Sequence, residues 1–148
     1  MLKKSIVLGL CVLAAVGLTG CPGTACFGID SCQLQGTWEA SVTVGGFTTV
    51  TNRMVINDDT FVYTTLTGGF EGTYEINAFK DPKQINFKIT QSWVGIQPFQ
   101  IIDNTPRTTF GIYEVSKDTF TLQFGSGSSR PVAFDNDDLI SMAHVSTD

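Results

Sequence analysis

From Leu34 onward, apolar and polar residues alternate in short runs separated by turn residues. In Gly36–Val44 (GTWEASVTV) the even positions are small or apolar and the odd ones polar. That period of two predicts a half-buried strand. Gly45-Gly46 supplies the positive φ angles of a two-residue hairpin turn. A second strand is predicted over Phe47–Ile56, turned by Asn57-Asp58-Asp59, and a third over Thr60–Thr67, closed by Gly68-Gly69. The fourth, Phe70–Ile76, puts Phe70, Gly72, Tyr74 and Ile76 on one face. Asp81-Pro82 marks a loop before the fifth, Gln84–Gln91, where Ile85, Phe87 and Ile89 alternate with Asn86, Lys88 and Thr90. Thr108–Val115 and Thr119–Phe124 form the next hairpin around Ser116-Lys117-Asp118. Gly125–Ser129 is a turn, and a short Val132–Phe134 segment and an acidic turn (Asp135 to Asp138) precede the last strand, Leu139–Val145. The pattern predicts no long helix.

Eight strands in consecutive hairpin order close most simply into an antiparallel up-and-down barrel, which removes exposed edges. A two-sheet β-sandwich is the alternative architecture. Phe61, Phe87, Phe110, Phe120 and Phe124 are expected to point inward. The stretch Ser92–Arg107 breaks the pattern, with no clean period and two prolines, Pro98 and Pro106. It carries Trp93, Val94, Ile96, Phe99, Ile101 and Ile102, too apolar for a solvated connection. A loop folding back over one barrel mouth and burying Trp93 or Phe99 is the expectation. A longer strand pair with Val94 and Ile96 in register is the alternative.

The first 20 residues have a different texture. Lys3 and Lys4 precede an apolar run from Ile6 to Leu18, too short for the ~20 residues of a membrane-spanning helix. Charge, length and the small residues that follow match a secretory signal. It ends in Leu18-Thr19-Gly20-Cys21, which resembles the lipobox of bacterial lipoproteins. That resemblance implies a diacylglyceryl group on the Cys21 sulfur, with palmitate-type acylation of the amine exposed by cleavage. Two or three acyl chains anchor stably, at about 0.8 kcal/mol per buried methylene. Pro22 stands where an inner-membrane retention signal often carries Asp, so the expected site is the outer membrane, facing the periplasm or the exterior. The domains expected are thus a signal peptide (1–20), a lipidated linker (21–33) and the barrel (34–148).

With Cys11 leaving in the signal and Cys21 carrying lipid, Cys26 and Cys32 remain. In an oxidising envelope such a pair is most simply a disulfide. Cleavage also removes two lysines and no acid, leaving 7 basic against 14 acidic residues and a net charge of −7. An acidic chain without a basic stripe disfavours nucleic acid as a partner. The single histidine, His144, leaves no Ser-His-Asp or Cys-His set unless it serves itself. No enzyme activity, cofactor or metal is expected. The Asp58-Asp59 and Asp135–Asp138 clusters lack EF-hand spacing and are read as turn chemistry.

Several stretches carry a family resemblance. Leu34-Gln35-Gly36-Thr37-Trp38 contains the Gly-x-Trp that opens the first strand of lipocalins. Further matches are Glu71–Ile76 (EGTYEI), Asp81–Phe87 (DPKQINF), Gly111–Val115 (GIYEV), Asp118–Leu122 (DTFTL) and Arg130-Pro131. Together, over about residues 33–135, they resemble the planctomycete-type lipocalin-like domain, a bacterial family of unknown function. The chain departs from it in the long apolar Trp93–Arg107 link, where the family has a short Gly-rich one. The resemblance implies that Trp38 plugs one barrel end and that Arg130 stacks on it. It also implies a small apolar or amphipathic ligand in or at the mouth of the barrel. The candidate contacts are Trp38, Phe61, Tyr63, Phe87, Trp93, Phe99 and Phe110. The competing reading is a structural or interaction module of the envelope with a filled core and a protein partner. Its discriminator is whether the rings fill the lumen.

Overall fold

The computed structural model describes residues 29–44, 48–95, 101–135 and 139–145. The signal segment, Cys21, Cys26, Gly45-Gly46, Phe99 and Asp137-Asp138 lie outside them, so the lipobox and the Cys26–Cys32 pairing do too. Among the described residues one short helix, α1 (Ile29–Leu34), precedes nine strands. These are β1 (Gly36–Val44), β2 (Thr48–Asn57), β3 (Thr60–Thr65), β4 (Gly68–Asn77), β5 (Lys83–Val94), β6 (Ile101–Asp103), β7 (Arg107–Val115), β8 (Thr119–Phe124) and β9 (Ile140–Val145).

All pairings are antiparallel, and β4–β5 pairing completes a closed ring β1-β2-β3-β4-β5-β7-β8-β9. The fold is the eight-stranded up-and-down barrel that the alternation predicts, and not a sandwich. The ninth strand, β6, adds to the far end of β5 where β7 has ended its pairing. Inward positions are Trp38 and Ala40 on β1, Met54 and Ile56 on β2, Phe61 and Tyr63 on β3, and Tyr74 on β4. Ile85, Phe87 and Ile89 on β5, Tyr113 on β7, Phe120 and Leu122 on β8, and Met142 on β9 complete the buried core.

Ser92–Arg107 departs from the expected mouth-covering loop. Ser92, Trp93 and Val94 pair with Asp103, Ile102 and Ile101, so the barrel wall is prolonged as a strand pair. The cause lies in the backbone. A register shift sets Gly72 opposite Ile89 but Glu71 opposite Gln91, leaving Thr90 as an extra residue. One added residue reverses which face the following side chains occupy. Trp93 therefore lies on the outer side of the wall, opposite Gly69 rather than in the lumen. A Cβ at Gly69 would sit 2.5 Å from the indole Cζ2, so only glycine lets the ring lie flat there. Val94, Ile101 and Ile102 remain 67%, 77% and 57% exposed.

Candidate functional site

The helix-bearing end of the barrel is sealed by polar contacts. Trp38 is fully buried there, and its indole Nε1 donates to the Leu34 carbonyl at 2.8 Å. Gly36, at φ 121°, lets the chain turn from α1 into β1 two residues earlier. Any Cβ at that position would strike the His144 imidazole, whose ring meets Trp38 edge-on at 4.9 Å from the exposed end of β9. Gln35 acts as a brace. Its Nε2 has the carbonyls of Ser31 and Asp58 and the Tyr74 hydroxyl as acceptors within 3.1 Å for its two N–H groups, and its Oε1 accepts from Asp58 N–H at 2.7 Å. Asp58, at φ 54°, is thus held as a hairpin-turn residue. Among the described residues no three His, Cys, Asp or Glu side chains gather around a metal-sized site.

α1 is fastened to the same end. Asp30 Oδ2 accepts from the Tyr113 hydroxyl at 3.0 Å and pairs with Lys83 Nζ at 2.7 Å. Burial first, and then the hydrogen bond to the Asp30 carboxylate, push the Tyr113 phenol well above its ordinary range. Burial likewise raises Tyr63 and Tyr74. The phenols stay protonated and serve as donors and packing groups.

The middle and the other end of the lumen are occupied by rings. Phe61 lies 4.7 Å from Phe87, Phe87 lies 5.4 Å from Phe124, and Phe70 lies 5.1 Å from Tyr63 and 6.0 Å from Phe124. Tyr63 on β3 and Phe124 on β8 stand on opposite walls of the ring, yet their centroids are 6.3 Å apart. The two walls meet through their side chains. Such edge-on and tilted geometries are those aromatic rings favour, adding about 0.5–1.5 kcal/mol per pair beyond burial.

Of the seven candidate ligand contacts, Trp38, Phe61, Tyr63 and Phe87 lie in this interior, and Trp93 is on the outer wall. Phe99 lies outside the described residues. Phe110 differs from the expectation of an inward ring. Gly111 and Tyr113 take the inward positions on β7, so Phe110 faces out beside Asn86. Arg130 does not stack on Trp38. Its guanidinium sits over the Phe110 ring at 5.2 Å from the centroid, where a cation is attracted to the ring face. The reason is the path of residues 125–135, which fold back over the outer face of β5, β7 and β8. Arg130 Nη1 donates to the carbonyls of Ile85 and Gly111, and Nη2 donates to Asn86 Oδ1. Gln123 Oε1 accepts from Asp135 N–H at 2.6 Å. This strap explains why Ile112 and Gln123 are buried although they face away from the lumen.

Next to Arg130 the outer wall holds a polar pocket of about 250 Å³, lined by Glu75, Ile76, Asn77, Gln84, Asn86 and Arg130. Nothing in the sequence pattern signals it, because its lining comes from three separate segments. No family model, curated protein or solved structure matches this chain.

Proposed function

We propose that the chain is a lipid-anchored envelope lipoprotein whose lipocalin-like barrel is a filled interaction module. It acts through its outer surface rather than by carrying an apolar ligand inside. The observation that supports this reading is the contact of Tyr63 with Phe124 across the full width of the ring, with Phe61, Phe70 and Phe87 packed beside it. An eight-stranded barrel has room either for such side chains or for one small ligand, and rings that meet across the lumen favour the first. A ligand at the mouth would have to use Phe70 and Phe124, which are only partly buried.

In this proposal the Cys21 lipid holds the protein at the membrane and the Cys26–Cys32 bridge stiffens the tether. Eight Cα–Cα steps separate Cys21 from Ile29, at most about 29 Å of extended chain. The α1 end therefore stays near the bilayer and the β5–β6 hairpin points away from it. The apolar residues of that hairpin suit an envelope protein partner. Native mass spectrometry of the full chain, released from detergent micelles, tests the central point. The expected spectrum shows acylated protein without a bound apolar molecule. A stoichiometric apolar ligand whose contacts map to Phe61, Tyr63 or Phe87 would overturn the filled-barrel reading.

A further inference from the structure

We propose that the outer-wall pocket beside Arg130 binds a small sugar acid, a polyhydroxylated molecule carrying one carboxylate. The site lies outside the barrel wall, so it does not depend on whether the lumen is filled.

Its geometry starts from the β4–β5 register. Glu75 stands opposite Asn86, and Asn77 opposite Gln84, all four on the outer face. Arg130 enters from the strap and closes one side. A guanidinium carries five N–H donors. Three of Arg130's go to the carbonyls of Ile85 and Gly111 and to Asn86 Oδ1. Its Nε–H and one Nη2–H have no acceptor among the described residues. Nε and Nη2 share one edge of the fork, the edge that takes a carboxylate in two parallel hydrogen bonds. Among the described residues Arg130 also has no carboxylate partner. The one acid lining the pocket, Glu75, is paired with Lys88, which offsets its repulsion of an anion. The pocket therefore offers an immobilised, partly desolvated and uncompensated cation. Burial lowers the Arg130 pKa, as expected for a charge drawn out of water.

The rest of the lining sets the ligand class. Gln84 presents both an amide donor and a carbonyl acceptor, Asn77 offers its NH₂ beside an oxygen that already accepts from Phe79 N–H, and Asn86, with its oxygen engaged by Arg130, keeps its NH₂ free to donate. Paired donors and acceptors match hydroxyl groups, which also do both. At about 250 Å³ the pocket falls below the ~300–1,000 Å³ of drug-sized sites. One monosaccharide-sized molecule is the scale it suits.

The test uses isotope-labelled full-length protein in micelles of a detergent that carries no sugar, titrated with glucuronate, glucose and acetate. Glucuronate is expected to shift the amides of 75–77 and 84–86 and the Arg130 Nε–H saturably. Glucose and acetate should each bind at least about tenfold more weakly, the loss of one charged or several neutral hydrogen bonds. Arg130→Lys keeps the charge but loses the fork, and should weaken glucuronate binding about tenfold or more. Because Arg130 also ties the strap to β5 and β7, Asn77→Ala is the second variant. It should leave the spectrum dispersed and lower the melting temperature only slightly, for the exposed bond from Phe79 N–H to Asn77 Oδ1 that it removes, while weakening glucuronate roughly fivefold. Absence of saturable shifts, shifts mapping elsewhere, acetate or glucose binding as well as glucuronate, or an unaltered affinity in a folded Asn77→Ala protein would each overturn the proposal.

Discussion

Truncating Phe87 is the most direct way to ask whether the aromatic core is what holds the barrel shut. Phe87 is fully buried and touches Phe61 and Phe124, linking the β3, β5 and β8 walls. Phe87→Ala deletes the ring from the middle of the cluster and leaves its neighbours fixed by their own strands. Lost transfer and the residual cavity together cost about 3–5 kcal/mol for a fully buried Phe. The two ring pairs it makes argue for the upper part of that range. For a domain of this size that is a fall of roughly 12–20 °C in melting temperature. A second consequence follows from the same geometry. The vacated space is flanked by Phe61 and Phe124 within the apolar core, and dry apolar cavities of this kind take up benzene. Urea unfolding followed by tryptophan fluorescence measures the first effect, and melting with and without saturating benzene measures the second. Benzene should raise the melting temperature of Phe87→Ala and leave the wild type unchanged. A loss under about 1.5 kcal/mol, or equal stabilisation of the wild type by benzene, would mean that the lumen is already open, and the filled-barrel argument would fall with it.

Four further outcomes are expected. Asp30→Asn removes the charge that holds Lys83 but keeps an acceptor for Tyr113; urea melts should show a loss of about 1–2 kcal/mol and reduced salt sensitivity. Tyr63, Tyr74 and Tyr113 all have raised pKa values in the folded protein, so their stabilisation is complete below the unfolded tyrosine pKa of about 10 and is lost as the pH rises beyond it. Each should contribute a fall of up to about 1.4 kcal/mol per pH unit there, and Tyr113→Phe should flatten the alkaline limb of the unfolding curve. Intact-mass analysis with and without reductant should differ by two hydrogens for the Cys26–Cys32 bridge, and alkylation of unreduced protein at either thiol would contradict it. Cys21→Ser should remain uncleaved or lose its acyl mass, whereas acyl chains still present on its N-terminus would refute the anchor.

The strands were legible where one face of the wall meets the core and the other meets water. β1 and β8 have the bounds that alternation predicts, because Trp38 and Ala40, or Phe120 and Leu122, are separated by polar residues. Legibility failed where both faces are covered. In β7 the run Phe110-Gly111-Ile112-Tyr113 is apolar at every position except a glycine. Alternation alone cannot say which set faces in. The strap over Phe110 and Ile112 makes the outer face a second interior, and the two bulky residues adjoining Gly111 misleadingly favour the wrong side. Trp93 failed for another reason. Ile85, Phe87 and Ile89 share its odd parity, but the extra residue at Thr90 reverses the face beyond it.

α1 was invisible for a third reason, which bears on the fold as a whole. Six residues are too few to nucleate a helix on their own. Its stability has to come from what it touches: Leu34 fully buried beneath the barrel, Asp30 held by Lys83 and Tyr113, and the Leu34 carbonyl capped by Trp38. Each partner is distant in sequence except Trp38. The same dependence on remote partners hides the Arg130 pocket, whose walls come from β4, β5 and the strap. An alternating pattern records how each strand meets its own two faces. It carries no record of which strands become neighbours, and a site assembled on the outer wall is made entirely of that second kind of information.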